Sequence, residues 1–415
     1  MKNIVILGSG TAGTMMANHL TKKLQKNQWQ ITLVDQYSSH YYQPGFLFIP
    51  FGTYKPEDVK RTVEEFLPKS VHLIKEKIDK IDKDTDTVLL SNGKTVSYDL
   101  LIIATGCKTA PEEVIGMKDD FWYKTIFDFY TFEGSCALAK KLETWEGGKM
   151  VVHITEMPIK CPVAPLEFAF LADDYFTKKG MRDKVEISYV TPLSGAFTKE
   201  KCTKALEYLL EEKNIKIVPD FAVERIEGEN GKMYEYGGES VDFDLLVTVP
   251  TNMGDECILR SGFGDDLNYV PTDKHTLQSK VKDNIFVIGD ATNVPASKAG
   301  SVAHFQAEIL TENIMNYMEG KPLKPDFDGH ANCFIETGKG KALLIDFNYE
   351  TEPLKGKFPF AVVGPLNLLE ESTFNHFGKM AFKWVYWNML LPARKLPFIT
   401  PKMSTAGKIF DKEKV

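Results

Sequence analysis

A glycine-rich turn close to the N-terminus restricts the fold of this chain more than any other feature. Residues 3–7 form a short apolar run that is typical of a parallel strand buried on both faces, and a turn with Gly8, Gly10 and Gly13 follows directly. Residues 14–25 then have the pattern of a helix. Gly8 allows a tight turn, Gly10 lets the backbone approach a pyrophosphate, and Gly13 lets helix and strand pack closely.

A second predicted strand, residues 30–34, ends at Asp35, where a carboxylate would accept hydrogen bonds from a ribose. The N-terminus of the preceding helix would meet phosphates with free N–H groups and a partial positive charge. Glycines alone would indicate only a turn without a ligand. Strand, glycines, helix, strand and acid in this order predict a dinucleotide-binding fold.

Composition narrows the classes of protein that remain. The 415 residues suggest two or three domains, and the net charge of −7 gives no indication of nucleic-acid binding. No apolar stretch of about 18 residues is free of charge, so we expect no transmembrane helix. The apolar start is only a strand long, so we expect no signal peptide. Six cysteines in a chain this long do not indicate a disulfide scaffold, and a pair of them would favour a redox function.

Two further buried strands end in short polar motifs. Residues 98–104 lead into Thr105-Gly106, and residues 284–288 lead into Gly289-Asp290. With the N-terminal turn, these motifs make residues 1–320 similar to the flavoproteins that contain two dinucleotide-binding domains. The resemblance implies FAD, held by Gly8, Gly10, Gly13 and Asp35 on its ADP half, by Thr105, Gly106 and Gly289 close to the cofactor, and by Asp290 at the ribityl chain.

The segments between these motifs give weaker indications. The aromatic loop at residues 41–51 either forms a wall beside the cofactor or packs as a surface loop. Residues 71–81 and 87–90 predict strands of a small antiparallel sheet with a hairpin turn at Asn92-Gly93.

The second domain lacks a nucleotide-binding turn. The predicted strand at residues 149–154 is followed by residues 155–165, which contain Glu156 and three prolines instead of glycines. Prolines remove backbone N–H donors, and a glutamate repels a pyrophosphate. The alternating pattern of the domain continues, with helices at 165–179 and 199–213 and strands at 185–190 and 216–219. This domain is therefore expected to be Rossmann-like but without its nucleotide.

Cys161 lies where relatives would bind a nicotinamide. It stands at the carboxyl end of a strand, where open α/β sheets bind ligands, and just before a helix whose N-terminus would favour a thiolate. Cys333 lies on a predicted strand beyond the FAD motifs. The alternative for each cysteine is a small buried apolar residue. Cys107 either faces the flavin or packs in the core.

The motif Cys-Pro-x-Ala-Pro at residues 161–165, followed by Glu167 and by a cysteine in the C-terminal part, resembles the sulfide:quinone oxidoreductases over nearly the whole chain. The resemblance implies that Cys161 and Cys333 form a disulfide, or a bridge of extra sulfur atoms, on one face of the flavin, and that Glu167 moves protons.

Many members of the family have a third cysteine, which would be expected near residues 126–129 of this chain. No cysteine is present there, and Cys136 lies too far along the chain. The sequence therefore leaves open whether FAD is covalently attached and whether three cysteines take part.

Lys298 falls at the start of a predicted helix over residues 301–317, eight residues after Asp290. In the family this segment passes the pyrimidine side of the flavin ring. A cation or a helix N-terminus there would stabilise the negative charge of the reduced flavin. The alternative is a solvated lysine.

The C-terminal segment, residues 374–415, differs from the rest of the chain. It contains eight cations and two acids, a net charge of +6, with aromatic residues interleaved among the first cations. This mixture suits a helix in a membrane interface, with rings in the acyl boundary and lysines at the headgroups. A dimerisation helix or a core helix with a basic outer face is the alternative. If the helix lies in the membrane interface, a lipid-soluble quinone would stack on Phe374 or Phe377.

These indications combine into one prediction. The fold is α/β with two Rossmann-like domains and a C-terminal membrane-interface segment, divided into residues 1–106, 107–280, 281–325 and 326–415. The function is a monotopic sulfide:quinone oxidoreductase on the cell membrane, whose partners are hydrogen sulfide, quinone and lipid but not nucleic acid, with a homo-oligomer left open. The alternatives are the flavoprotein subunit of flavocytochrome c sulfide dehydrogenase, an NADH:quinone oxidoreductase and a non-catalytic flavin-binding or scaffold protein.

Overall fold

The computed structural model describes residues 1–25, 27–360, 363–397 and 399–410. Its helices are α1 (Thr11–Lys23), α2 (Phe132–Thr144), α3 (Ala164–Lys178), α4 (Glu200–Glu212), α5 (Glu256–Ser261), α6 (Gly300–Met318) and α7 (Thr373–Val385). Its strands, in chain order, are β1 (Lys2–Leu7), β2 (Trp29–Val34), β3 (Ser39–Tyr41), β4 (Lys60–Thr62), β5 (Val71–Ile74), β6 (Ile78–Asp82), β7 (Thr87–Leu90), β8 (Thr95–Ser97), β9 (Leu100–Ile103), β10 (Cys107–Ala110), β11 (Ile126–Phe127), β12 (Gly148–Ile154), β13 (Val185–Val190), β14 (Ile215–Val218), β15 (Val223–Glu227), β16 (Lys232–Glu235), β17 (Ser240–Asp242), β18 (Leu245–Val249), β19 (Thr251–Gly254), β20 (Ile285–Val287), β21 (Ala331–Gly338), β22 (Lys341–Phe347), β23 (Gly356–Phe358) and β24 (Leu366–Leu368).

The first five-stranded sheet is parallel, with the strand order β20-β9-β1-β2-β5. Strand β9 is buried along its whole length, and β1 is buried over residues 4–7, as the apolar runs of the sequence predict. The carboxyl ends of β1, β9 and β20 meet at one edge, which brings the three motifs that follow them together. Because β20 comes from residues far along the chain, this sheet contains both parts of the predicted FAD domain.

One part of the sequence prediction for this region is wrong. Residues 71–81 do not form a single strand of a small antiparallel sheet. Val71–Ile74 pairs in parallel with β2 at the edge of the first sheet, and only Ile78–Asp82 joins β7 and β8 in the antiparallel sheet. The polar residues 75–77 between them are the point where the chain leaves one sheet for the other.

The second five-stranded sheet is also parallel, with the order β11-β18-β12-β13-β14. The helices and strands predicted for this region are present, and β13 has the predicted bounds. The mixed α/β fold with parallel sheets is thereby confirmed, while the domain boundaries stay a prediction. Within the described ranges, no helix is both long and apolar enough to cross a bilayer.

A four-stranded sheet in the order β21-β22-β24-β23 follows, and α7 packs on it. The last described residues return to this sheet, where Lys408 bonds the carboxylate of Asp346 on β22. His330 bonds the other oxygen of that carboxylate at 2.8 Å and stacks on Phe305 of α6. The side chains of His330, Asp346 and Lys408 are at most 3% exposed. This buried cluster fixes the sheet that carries Cys333.

We expect the Lys408 ion pair to stabilise the fold. Lys408→Met leaves a buried carboxylate with one partner fewer and should cost about 3 kcal/mol, seen as a lower midpoint of urea unfolding. Lys402→Met removes an ion pair with Asp326 in which both side chains are substantially exposed, and should cost no more than about 1 kcal/mol. Equal midpoints for the two variants would contradict the anchoring role of Lys408.

Candidate active site

One cavity of about 590 Å³ joins the carboxyl edge of the first sheet to the second sheet and to the C-terminal sheet. It brings together almost every site residue that the sequence predicts: Gly8, Gly10, Asp35, Thr105, Gly106, Cys161, Glu167, Gly289, Asp290, Lys298 and Cys333. Gly13 lies behind the turn rather than in the cavity wall. Phe374 and Phe377 are not part of the lining and are 65% and 62% exposed.

The glycines of the N-terminal turn meet the predicted steric demands. Gly8 has a φ of +97°, which favours glycine. A Cβ on Gly13 would lie 1.9 Å from the carbonyl oxygen of Gly8, so a side chain there would separate helix from strand. A Cβ on Gly10 would meet no protein atom within 4 Å. The open space at Gly10 is where a pyrophosphate would approach the backbone.

Asp35 is fixed at the end of β2 beside this turn. One carboxylate oxygen accepts hydrogen bonds from the amide and the hydroxyl of Ser9, at 2.6 and 2.8 Å. The other accepts from the amide of Tyr37 at 2.9 Å. These donors hold the carboxylate in the cavity wall, at the position predicted for binding a ribose.

The opposite part of the cavity has the chemistry that a flavin requires. Thr105 has a buried hydroxyl with no hydrogen-bond partner among the described residues, and Gly106 follows with a φ of +68°. Gly289 and Asp290 line the same wall, and α6 begins beside them at Gly300 with its N-terminal amides. The aromatic loop contributes a further wall through Tyr41, Pro44, Phe46 and Leu47. The unpartnered hydroxyl, the helix terminus and the open glycine turn together fit FAD.

Lys298 is neither a solvated lysine nor a free cation. Its ammonium donates to the backbone carbonyls of Asp290 and Thr292, at 2.8 and 2.7 Å, and lies 3.7 Å from the ring centre of Tyr269. Burial lowers the pKa of Lys298, and the charge of Asp290 opposes this change. Lys298 therefore fixes the turn after β20 and adds positive charge to this wall of the cavity.

The backbone of Cys161 is held from two sides. Its N–H donates to the carbonyl of Lys298 at 2.7 Å, and its own carbonyl accepts from the hydroxyl of Tyr130 at 3.1 Å. The φ of Cys161 is +44°, which is unfavourable for a residue with a side chain and persists only where its surroundings impose it. These contacts tie the cysteine to the segment that carries the FAD motif Gly289-Asp290.

Cys161 and Cys333 line the same cavity, and both are free thiols in this structure. Burial and the neighbouring Glu167 raise the pKa of Cys161 to about 12. Burial and the charge of Cys161 raise the pKa of Cys333 as well. The sequence predicts a thiolate favoured by the following helix; here burial raises the pKa of the Cys161 thiol, and the charge of Lys379 and the backbone N–H of Ala164 oppose the change. The predicted bridge between the two cysteines stays a prediction.

Cys107 also lines the cavity, with its Sγ 3.9 Å from a carboxylate oxygen of Asp290 and from the side-chain oxygen of Asn252. Burial raises the pKa of this thiol to about 12. Of the two sequence alternatives for Cys107, the structure favours a position facing the cofactor.

Glu167 forms a buried ion pair that sequence reasoning missed. Its Oε1 accepts from the ammonium of Lys379 at 2.7 Å and from the amide of Glu336 at 2.9 Å. Its Oε2 is buried without a partner among the described residues. Burial raises the pKa of Glu167, and Lys379 opposes the change. Lys379 was expected at lipid headgroups with the other C-terminal cations. It points inward instead, because a buried carboxylate needs a counter-charge.

Three aromatic residues of the C-terminal part also line the cavity, namely Phe334, Phe382 and Tyr386. Lys379, Phe382 and Tyr386 follow one another at helical spacing, so this periodicity was the available signal. His40 donates from Nδ1 to the carbonyl of Ser9, which leaves Nε2 to accept from the hydroxyl of Tyr386 at 2.7 Å. The same hydroxyl lies 2.7 Å from Oγ1 of Thr11. The end of α7 is thereby bonded to the glycine turn.

Comparison with known proteins gives this geometry a family context. Residues 2–134 match the family described as pyridine nucleotide-disulphide oxidoreductase. The chain is 28% identical to the mitochondrial sulfide:quinone oxidoreductase of Dictyostelium discoideum. The 397 aligned residues cover 94% of this chain and 86% of the relative. The mouse protein of the same name is 27% identical over the same length. The predicted resemblance to sulfide:quinone oxidoreductases is confirmed.

A solved structure supports the same relationship at the level of the fold. The sulfide:quinone oxidoreductase of Aquifex aeolicus superposes with a TM-score of 0.76 at 23% identity, over 94% of this chain and 92% of that one. A type II NADH:quinone oxidoreductase of Staphylococcus aureus is 25% identical over 386 residues, which cover 86% of this chain and 92% of that relative. The chain is an FAD-dependent oxidoreductase, and the lining of the cavity fits this cofactor.

The two glycines should fail in different ways when substituted. Gly13→Ala introduces a clash with backbone and should lower the melting temperature of the protein, with a loss of about 1–3 kcal/mol. Gly10→Ala has room in the protein and should fold, but the purified protein should contain less FAD because the methyl group occupies the pyrophosphate position. Full FAD content in Gly10→Ala would contradict the assigned position of the phosphates.

Proposed function

We propose that this chain is a sulfide:quinone oxidoreductase, which oxidises hydrogen sulfide to sulfane sulfur at Cys161 and Cys333 and passes two electrons through FAD to a membrane quinone. The observation that carries the proposal is the presence of both cysteines in the cavity of the FAD motifs. The names of the relatives support the same substrate and acceptor.

The two cysteines would take the place of a nicotinamide as the electron source. Hydrosulfide attacks one sulfur of the bridge, so the S–S bond breaks, a persulfide forms on one cysteine and a thiolate is released on the other. FAD, when bound, supplies an acceptor for the electron pair. Because the site raises the pKa of both thiols, the released sulfur has a strong tendency to pick up a proton or pass on its electrons.

Glu167 and Lys379 are the groups that would move protons in this site. The free Oε2 of Glu167 is buried, and the raised pKa of this carboxyl lets it hold a proton. The ammonium of Lys379 lines the cavity beside it. A proton that leaves sulfide therefore has an acceptor within the cavity wall.

The quinone ring has better partners than the two phenylalanines that sequence reasoning selected. Phe382 and Phe334 line the cavity on the side of α7, close to the ammonium of Lys379, which would bond a quinone oxygen. Phe374 and Phe377 lie on the outer face of α7. We propose that they contact the lipid from which the quinone enters.

The outer face of α7 supports attachment to a membrane surface. Phe374, Phe377, Ala381 and Trp384 follow at intervals of three or four residues, so they form one exposed apolar stripe. Such a stripe suits burial in the boundary between headgroups and acyl chains. Of the C-terminal cations, Lys379 and Lys408 turn inward, and Lys412 and Lys414, with Asp411 and Glu413, lie outside the described residues.

The alternative of an NADH:quinone oxidoreductase has a related sequence but no nucleotide turn. After β12 the chain continues with Pro158 and Pro162, and Glu156 bonds the hydroxyl of Thr251 there. No glycine fingerprint is available for a pyrophosphate. The flavoprotein subunit of flavocytochrome c sulfide dehydrogenase would share the cysteine pair, and the exposed stripe on α7 favours a lipid-soluble acceptor instead.

We expect the two cysteines to be essential for turnover. Cys161→Ser and Cys333→Ser should each lower sulfide-dependent reduction of decylubiquinone by at least about 100-fold, because serine cannot form the sulfur bridge. Cys136→Ser, at a position outside the cavity lining on α2, should keep the wild-type rate. Unchanged turnover in Cys161→Ser and Cys333→Ser would exclude the proposed chemistry.

The membrane proposal is tested by flotation with vesicles of phosphatidylcholine and phosphatidylglycerol. A variant with serine at positions 374, 377 and 384 should lose binding by roughly tenfold or more, because it removes three aromatic side chains from the interface. Tyr208→Ser with Tyr236→Ser removes two exposed aromatic residues elsewhere and should bind like the wild type. Equal binding of both variants would show that α7 is not the attachment site.

A further inference from the structure

A second acidic residue and a histidine continue the Glu167–Lys379 ion pair toward the surface. Glu336 lies on β21, and its amide donates to the same oxygen of Glu167 that binds Lys379. Its carboxylate binds Nδ1 of His376 on α7, at 2.9 and 3.0 Å. His376 and Lys379 are three residues apart on the helix, so they lie on the same face.

The fold holds Glu336 between the two basic residues of α7. The pairing of β21 with β22 shifts register between Glu336 and Gly338, and such an irregularity re-aims side chains at a strand end. The Glu336 side chain is only 2% exposed. A buried carboxylate with a raised pKa, caused by burial and opposed by His376 and Lys379, can exchange a proton at modest cost.

Exposure changes along this group from the surface to the cavity. The His376 side chain is 27% exposed, and its Nε2 has no partner among the described residues, so one ring nitrogen meets water while the other bonds Glu336. Glu336, Lys379 and Glu167 are buried, and Lys379 and Glu167 reach the cavity. An imidazole placed in this way can take a proton on one nitrogen and release one from the other.

We propose that His376 and Glu336 form the proton inlet for quinone reduction, delivering a proton from the surface at α7 to the Lys379–Glu167 pair. The inference rests on the proposed function. In the overall reaction, HS⁻ + quinone + H⁺ gives bound sulfane sulfur and quinol: sulfide is oxidised by two electrons, the quinone is reduced by two, and one proton enters from outside. The other proton of the quinol comes from the hydrosulfide itself.

Other charged groups surround this path and set its electrostatics. Tyr54, from the loop that follows the aromatic segment, feels the charges of both Lys379 and Glu336, and the ammonium of Lys383 lies 4.0 Å from its ring centre. On the side of α3 the charged neighbour of Lys379 is Glu167, and on the side of the sulfur site its titratable neighbour is the thiol of Cys161. Each of the two buried carboxylates thus has a basic partner, Glu336 with His376 and Glu167 with Lys379, as a buried carboxylate requires.

The test separates the two half-reactions in the full-length flavoprotein. In His376→Gln and Glu336→Gln, anaerobic reduction of the bound flavin by sulfide without quinone should keep the wild-type rate. Steady-state reduction of decylubiquinone should fall by roughly tenfold, and fall more steeply as pH rises, because protons must then come directly from solvent. Added imidazole should restore most of the lost rate in His376→Gln. His72→Gln, an exposed histidine on β5, is the matched control and should behave like the wild type.

If His376 and Glu336 only support the fold, the rates of their variants should show a different pattern. Flavin content and melting temperature are measured first, and if His376→Gln does not fold, Glu336→Gln and the solvent deuterium isotope effect on wild-type quinone reduction decide. Wild-type quinone reduction rates in the variants across the pH range, rates that imidazole does not restore, or the lack of a solvent isotope effect would overturn the inlet. If the wild-type protein reduces no quinone with sulfide, the proposed function itself fails and the inlet with it.

Discussion

The buried ion pair between Glu167 and Lys379 is the interaction on which the assembled site depends. Glu167 belongs to α3, beside the second parallel sheet, and Lys379 belongs to the C-terminal helix. A charge that is nearly withdrawn from water must be paired, so each residue fixes the place of the other. Because Oε1 of Glu167 also accepts from the amide of Glu336, the same contact positions β21, the strand that carries Cys333.

A second set of bonds ties the sulfur chemistry to the cofactor. The amide of Cys161 is bonded to the carbonyl of Lys298, whose ammonium fixes the carbonyls of Asp290 and Thr292. The hydroxyl of Tyr386 connects the end of α7 to His40 and Thr11 at the glycine turn. The cysteine loop and the C-terminal helix are thus each bonded to an FAD motif, and the cavity between them is shaped by hydrogen bonds rather than by apolar packing alone.

The sequence was informative wherever a local steric rule decides the structure. The glycine turn, the buried strands that lead to Thr105 and Gly289, and the alternating elements of the second sheet all follow from periodicity or from the space available at a glycine. The antiparallel assignment failed for residues 71–74, because their parallel pairing with β2 depends on a distant partner, and it was right for residues 78–81. The predicted position of Lys379 at the lipid headgroups was wrong for a similar reason. Its partner Glu167 lies 212 positions away in the sequence, so no local pattern indicates the ion pair.

The same distinction applies to the chemistry of the site. The helix that follows Cys161 is visible in the sequence, whereas the burial that raises the pKa of its thiol depends on the whole cavity. The spacing of rings on α7 predicts an apolar stripe, but the rotation of the helix decides that Phe382 faces the cavity while Phe374 and Phe377 face outward.

The central claim is that sulfur, and not a nicotinamide, delivers electrons to this flavin. The most direct measurement is the flavin absorbance of the oxidised holoprotein under anaerobic conditions, followed after addition of sulfide and, separately, of NADH. We expect rapid bleaching by sulfide and none by NADH on the same time scale. Bleaching by NADH with no response to sulfide would contradict it.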